Sequence, residues 1–376
     1  MPCYSYGYEH PFVITNRRIR IALIGCGRIS RNHINAIAAH QDRAELVATC
    51  DPQPERLAQA EQLIIQAAAS HPGAASGTVQ FRDYNEFLVS VQNGSTPVDI
   101  VVLATPSGLH PAQAIAAAAA GLHVCTEKPM ATRWADGLAM VRACDDAGMR
   151  LFVVKQNRFN QTLQLVKRQL QAGRFGQLAI VAVNVFWYRP QSYYDQDSWR
   201  GTWELDGGAL MNQASHYVDL LDWLVGPVDS ISASTATLGR SIEVEDTAAV
   251  QLRWRNGALG TMAVTMLTYP KNLEGSITLI GENGSVKIGG PAANHIDHWA
   301  FADESPDDAL VEQASYETTS IYGFGHPPFY ANVLDTLQGK DEPLCEGREG
   351  LRSLELLIGA YRSARDGRTV HLPLEY

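Results

Sequence analysis

Residues 19–51, IRIALIGCGRISRNHINAIAAHQDRAELVATCD, decide the fold. A short apolar run, IRIALIG, meets a glycine turn; RISRNHINAIAAH (28–40) then has helical period, and AELVATC is apolar again. The turn Gly25-Cys-Gly27-Arg-Ile-Ser30 matches G-x-G-x-x-G except for Ser30, a residue small enough for helix–strand packing. Its two glycines let backbone amides approach a pyrophosphate at a helix N-terminus. The second apolar run ends in Asp51, an acceptor for a ribose diol that would repel a ribose phosphate. No arginine stands among the next residues, Pro52, Gln53 and Pro54, so NAD is expected rather than NADP. Gly25, Gly27, Arg28, Ile29 and Asp51 are the cofactor-binding candidates of this stretch.

Outward from this unit the alternation continues. PERLAQAEQLIIQAAA (54–69) is helical, VDIVVLATP (98–106) a strand, and AQAIAAAAAG (112–121) a helix. HVCTEKP (123–129), TRWADGLAMVRACDDAG (132–148) and RLFVVKQN (150–157) repeat strand, helix and strand. Continuous apolar strands between helices predict a doubly wound parallel sheet, a Rossmann domain over 17–156 after an N-terminal extension, 1–16. Beyond Gly176 the texture changes to strand runs divided by turn signals such as Asn256-Gly257. Residues 157–376 therefore read as an α+β domain with a large, mostly antiparallel open sheet, one face under helices and the other solvated or meeting another subunit. Homo-oligomerisation is expected, and the polar stretch 304–320 reads as an irregular loop. In 206–224, DGGALMNQASHYVDLLDWL, a helical apolar stripe opposes Asn212, His216 and Asp219.

Composition bounds the function. A length of 376 residues with 45% hydrophobic residues fits two globular domains, and a formal charge of −10 argues against nucleic acid as a partner. The six cysteines show no metal-ligand spacing, so no metal is expected, and scattered free thiols fit a reducing cytoplasm. The start lacks signal-peptide features, and the most apolar run, IAAAAAG (115–121), is too short to span a membrane.

Three consecutive strands deliver polar residues to the edge where open α/β sheets bind ligands: Thr105, Pro106 and His110, then Glu127 and Lys128, then Gln156 and Arg158. Thr105, Pro106, His110, Glu127, Lys128 and Gln156 are placed with the cofactor; Lys128, Arg158 and Asn160 face a substrate. Oxidising a carbinol needs a hydride acceptor, a proton acceptor and a group to hold the oxygen. Lys128 can polarise a hydroxyl or relay its proton, and His216 has a reference pKa near working pH. Asn212 can hold an oxygen but carries no proton. Asp219 either orients the imidazole or ends a wet stripe.

GCGRIS, ATPSGLH, TEKPMA and GGALMNQASHYVD, in this order, resemble the Gfo/Idh/MocA oxidoreductases from about residue 19 onward. The resemblance implies nicotinamide-dependent redox chemistry on sugars and cyclitols, an open sheet used for dimers or tetramers, and Lys128 with His216 at the reacting carbon. Many members have an aspartate where this chain has Asn212, which leaves Lys128 and His216 as the acid–base pair. VVKQNRFNQTLQL (153–165), residues 184–224, TMLTYPKNLEGSITLIGENGSV (265–286) and SIYGFGHP (320–327) are similar to the WlbA/WbpB-type UDP-N-acetyl-2-amino-2-deoxyglucuronate 3-dehydrogenases. That likeness implies oxidation of a UDP-sugar acid at the C3 hydroxyl, in O-antigen and related surface-polysaccharide precursor synthesis, with NAD recycled in some members by 2-oxoglutarate. An anionic substrate calls for local cations, and Arg158, Arg189, Arg200 and Lys271 flank the site, with Tyr188, Tyr193, Tyr194, Trp199 and Trp203 as walls. A dehydrogenase of a free sugar or inositol and a non-catalytic NAD-binding regulator remain the other readings.

Overall fold

The computed structural model describes residues 13–73, 77–318 and 322–374. Residues 1–12 of the expected extension, Cys3 among them, and the end of the 304–320 stretch lie outside the described residues.

The first half runs β1 (Ile19–Ile24), α1 (Ser30–Ala38), β2 (Ala44–Cys50), α2 (Pro54–Ser70), β3 (Val79–Phe81) and α3 (Tyr84–Gln92). β4 (Ile100–Leu103), α4 (His110–Ala119), β5 (His123–Thr126), α5 (Trp134–Asp146) and β6 (Leu151–Val153) complete it. The six strands are parallel in the order β3-β2-β1-β4-β5-β6, so the direction of winding reverses between β1 and β4. That reversal opens a crevice at the carboxyl ends of these two strands. Gly25 turns there with φ +93°, and a Cβ on it would lie 2.6 Å from the Ala104 backbone, so only glycine lets the two strand ends approach. The β3–α3 pair was not anticipated. Its strand has three residues on an exposed edge, too few for a period, and its helix starts on Asp83, whose carboxylate accepts from Asn85 and Glu86 N–H.

The second half runs α6 (Gln161–Gln171), β7 (Leu178–Phe186), α7 (Gln191–Tyr194), α8 (Ser215–Val225), β8 (Val228–Ala236), β9 (Thr247–Trp254) and β10 (Leu259–Thr265). It continues with β11 (Glu274–Gly281), β12 (Gly284–Gly289), β13 (His295–Phe301), α9 (Val311–Ala314), α10 (His326–Leu337), α11 (Gly347–Asp366) and β14 (Val370–His371). Eight strands form one sheet in the order β13-β12-β11-β7-β10-β9-β8-β14, antiparallel except for the β7–β10 pair. Val250, Leu252 and Trp254 of β9 and Met262 and Val264 of β10 point inward, beneath a helix layer in which α11 packs on β8 and α8. Their neighbours Gln251, Arg253, Leu259 and Thr261 stand on the opposite, open face. The period of two that predicted these strands is thus a period of covered and uncovered residues.

Three local readings change. Residues 206–224 are not one helix: a π-turn, Ala209–Gln213, precedes α8. The glycine pair feeds that turn, with Gly207 at φ +83° and Gly208 so close to Glu245 that a Cβ would stand 1.8 Å from its Oε2. Residues 304–320 are not irregular throughout; Pro306–Leu310 forms a 3-10 turn under a Ser305–Asp308 capping box and runs into α9. Finally, α10 leaves the second half and packs on α1, where Phe329, Tyr330, Val333 and Leu334 share a core with Ile34, Ile37 and β1. No helix among the described residues is long and apolar enough to cross a membrane.

Candidate active site

A cleft of about 1120 Å³ follows the crevice between β1 and β4 and continues to the π-turn of the second half. Its floor is the turn from Gly25 to Ser30. The Gly27 position is open, with only the Arg56 guanidinium within 4 Å of where a Cβ would stand. Asp51 is buried at the end of β2, and its carboxylate accepts from Cys26 N–H and Gln53 N–H at 2.9 Å each. Both bonds aim the carboxylate along the turn, where it lines the cleft with Thr105 and Pro106. Arg56 and Arg82 also line this end, arginines that the local sequence beside Asp51 did not reveal. The Arg56 charge is met by Asp197 at 2.6 Å.

The deep end holds the chemistry. The β5–α5 loop carries Lys128, and its Nζ donates to the Asn212 carbonyl at 3.0 Å. The π-turn presents that carbonyl, and His216 follows on the first turn of α8. The Gln156 amide donates to His216 Nε2 at 3.1 Å, which places the ring proton on Nδ1. Burial, and next the Lys128 charge, push His216 well below the ordinary imidazole range. Burial also lowers Lys128, with Glu127 and Asp206 opposing and Lys155 and Arg28 assisting. His216 is therefore biased toward its neutral form, the condition for accepting a proton, while Lys128 donates to the Asn212 carbonyl. Lys128, Gln156, Asn212 and His216 all line the one cleft, joined by Arg28 and Tyr322 at its wall.

Glu127 stands just behind. Its Oε1 accepts from His33 Nε2 at 3.1 Å and faces His326 Nε2 at 4.0 Å, while its Oε2 accepts from the Lys128 N–H. Burial works against this carboxylate, but His326 and His33 outweigh it and hold its pKa well below the usual range. Their ligand-type atoms lie within 4.8 Å of one another, a convergence of three residues far apart in sequence that spacing could not reveal. Tyr330 OH against His33 Nδ1 at 2.8 Å extends the network to α10.

Several expected site residues stand elsewhere. His110 is fully buried with its ring nitrogens against the Thr105 and Pro129 carbonyls, so it braces two cleft loops from behind. Arg158 is buried on Asp219, with Nη2–Oδ1 2.7 Å and Nε–Oδ2 2.8 Å, and reaches Glu349 at 3.0 Å. Asp219 also accepts from Lys155 at 3.0 Å and Ser353 at 2.7 Å. Asp219 thus neither orients the imidazole nor caps a wet stripe; it anchors two cations from the β6–α6 segment. Asn160 donates to the Ala292 carbonyl at 2.7 Å, away from the cleft lining. Arg189 donates to Gln213 Oε1 at 3.0 Å behind Tyr193, and Lys271 is exposed on a turn outside the lining. Of the aromatic candidates, Tyr193 and Trp199 line the cleft beside Arg200, and Tyr188, Tyr194 and Trp203 do not.

Sequence reading missed Asp206, which lines the cleft at the Asn212 side chain. Its only signal was an acid directly before the glycine pair.

The residues present fit a dinucleotide. The glycine turn is open at Gly27, Asp51 is buried at the position for a ribose, and Gln156 Oε1 is a buried acceptor without a partner at the deep end. Residues 19–155 match the family model for the Gfo/Idh/MocA oxidoreductase NAD-binding Rossmann fold, and residues 167–372 match that for its C-terminal alpha/beta domain. The WlbA dehydrogenase of Bordetella pertussis, solved with NADH and UDP-GlcNAcA, is 60% identical over 96% of this chain and 100% of its own, with a TM-score of 0.88. That of Chromobacterium violaceum, solved with the same two ligands, is 56% identical over 97% of this chain and 99% of its own, with a TM-score of 0.86. A D-apiose dehydrogenase of Paraburkholderia graminis is 29% identical over 95% of this chain and 91% of its own.

Proposed function

This chain belongs to the Gfo/Idh/MocA oxidoreductase family, and from that premise we propose that it oxidises the C3 hydroxyl of UDP-N-acetyl-2-amino-2-deoxy-D-glucuronate to the ketone. The reading is supported first by one arrangement: Lys128 from the Rossmann half and His216 from the other half line a single cleft with the glycine turn and Asp51. Two relatives at 60% and 56% identity, each solved with NADH and UDP-GlcNAcA, support the substrate.

NAD, when bound, supplies the hydride acceptor. The turn amides of Gly27, Arg28 and Ile29 would hold its phosphates and Asp51 its ribose, and Gln156 offers a free acceptor at the deep end. Lys128 Nζ, donating as an ammonium, holds the hydroxyl oxygen, and His216 Nε2, once the Gln156 amide gives way to the hydroxyl, takes its proton as the carbinol hydrogen leaves. Asn212 fixes Lys128 through its backbone carbonyl, a role for which no ionisable side chain is needed. Arg28 and Arg200 line the cleft wall and offer cations to an anionic sugar nucleotide, with Arg31, Arg56 and Arg82 also in the lining. In this reading 2-oxoglutarate reoxidises the held cofactor, the ketone feeds O-antigen precursor synthesis in the cytoplasm, and the open sheet face pairs copies into a dimer or tetramer.

The test is turnover of UDP-N-acetylglucosaminuronate by the NAD-loaded protein, with and without 2-oxoglutarate. A 3-keto product supports the reading. No product in either case, or turnover of free sugars and inositols alone, sinks it.

A further inference from the structure

Asp206 is a cleft-lining carboxylate, 1% exposed, that the steps above leave unused. Its two oxygens have separate partners. Oδ2 accepts from the Gly201 N–H at 2.7 Å, and Oδ1 accepts from the Asn212 side-chain amide. No cation closes on it: among the described residues it makes no ion pair within 4.0 Å. Two cations nevertheless act on it through the cleft, Arg200 and Lys128. Asn212 is the link, since its side chain holds Asp206 while its carbonyl receives Lys128 Nζ and the Ser215 hydroxyl, each at 3.0 Å. One residue on the π-turn therefore joins a buried carboxylate to the lysine at the reaction end.

We propose that Asp206 is the positioning carboxylate of Lys128: it sets the Asn212 turn on which the ammonium rests and supplies the negative charge that keeps a proton on Nζ. An amide at 212 can hold but cannot ionise, so the charge comes from six residues earlier in the chain. This inference rests on the proposed dehydrogenase reading for its kinetic arm only.

The charges around the pair make the role specific. Lys128 faces Glu127 and Asp206 on one side and Lys155 and Arg28 on the other. His216 faces Lys128, Glu127, Lys155 and Asp219. Glu127 is held ionised by its two histidines and Asp219 by Lys155 and Arg158, so neither changes charge near neutrality. Burial pushes Asp206 up to about 6. Above that pH it is an anion that raises the proton affinity of Lys128, and below it the support is lost.

The experiment compares wild type with Asp206→Asn as NAD-loaded holoenzymes carrying ε-13C-labelled lysine, the Lys128 resonance being identified by its loss in Lys128→Met. The Lys128 titration midpoint is expected to fall by about one pH unit in Asp206→Asn, the size of effect a nearby opposite charge produces. On the UDP-sugar acid, kcat is expected to fall about tenfold with KM within about twofold, and the acid limb near pH 6 to disappear. Asn212→Ala, which releases Asp206 but keeps the carbonyl, is the second arm and should move the midpoint the same way by less. An unmoved Lys128 midpoint in both variants overturns the proposal, whatever happens to stability. Lack of turnover by wild type would sink the dehydrogenase reading alone, because the titration is read without substrate.

Discussion

The Arg56 guanidinium, on α2 of the cofactor half, meets the Asp197 carboxylate of the second half at 2.6 Å across the mouth of the cleft. Arg200 adds a second bond to Asp197 at 3.1 Å, and the strap so held, residues 197–205, is tied further along by Gly108 N–H to the Leu205 carbonyl at 3.1 Å. The pair is partly exposed, so its worth is about 0.2–1 kcal/mol. Arg56→Ala should then weaken NAD binding by about two- to fivefold, mostly through faster release. Fluorescence titration and stopped-flow displacement read this. The wild-type advantage should shrink in high salt, and an unchanged release rate would refute the strap.

Lys128→Ala and His216→Ala should each lower kcat by about 10²–10⁴, the range for a lost acid–base group. NAD binding and thermal midpoint should stay close to wild type, because neither side chain closes a core. The double variant should lose little beyond the worse single one if the two act as a unit. Turnover intact in both single variants would remove them from the mechanism.

Arg158→Ala tests a relocation. Its guanidinium is buried on Asp219, so removing it leaves Oδ2 without its donor and Lys155 as the remaining cation, and should cost about 1–3 kcal/mol of stability. Chemical denaturation reads the loss. If the variant instead kept its stability and lost substrate affinity, the original substrate-binding reading of Arg158 would stand.

Glu245 gives a pH-dependent stability. It is buried beside Gly208, and burial raises its pKa from 4.5 to about 7. The folded state therefore holds this proton more tightly than the unfolded one. That contribution is complete below pH 4.5 and is lost as pH rises through about 7. Glu245→Gln has no proton to lose, so its stability relative to wild type should rise across this window and level off above it. The gain approaches about 3 kcal/mol on the scale of 1.36 kcal/mol per pKa unit. Denaturation curves at pH 5 and pH 8 decide it; a constant difference would refute the assignment.

The cofactor half was legible because its signals are local. A strand, a glycine turn, a helix and a terminal Asp51 lie within one stretch, and each constrains the backbone directly. Lys128 and His216 were also readable, one from the end of a strand and one from a polar position on a helix. Arg158 was misplaced for a reason that recurs in buried networks. An arginine after a sheet-edge strand looks the same in sequence whether it meets a ligand or an aspartate 61 residues later. Asp206 and Arg56 were missed because their partners, Asn212 and Asp197, are set by a π-turn and a strap that no hydrophobic period announces. β13 and β14 escaped notice for a related reason: one lies at a sheet edge with no buried residue and the other has two residues.

The packing of α10 on α1 bears on how such a protein can be recombined. A fragment ending near residue 156 would carry the whole parallel sheet, yet would leave the Ile34 and Ile37 side of α1 bare. It would also break the His33–Tyr330 and Arg43–Asp335 contacts. The two halves are separable on paper, yet they share this core. A chimera that borrows this cofactor half has to bring residues 326–337 with it, or replace them with another apolar helix.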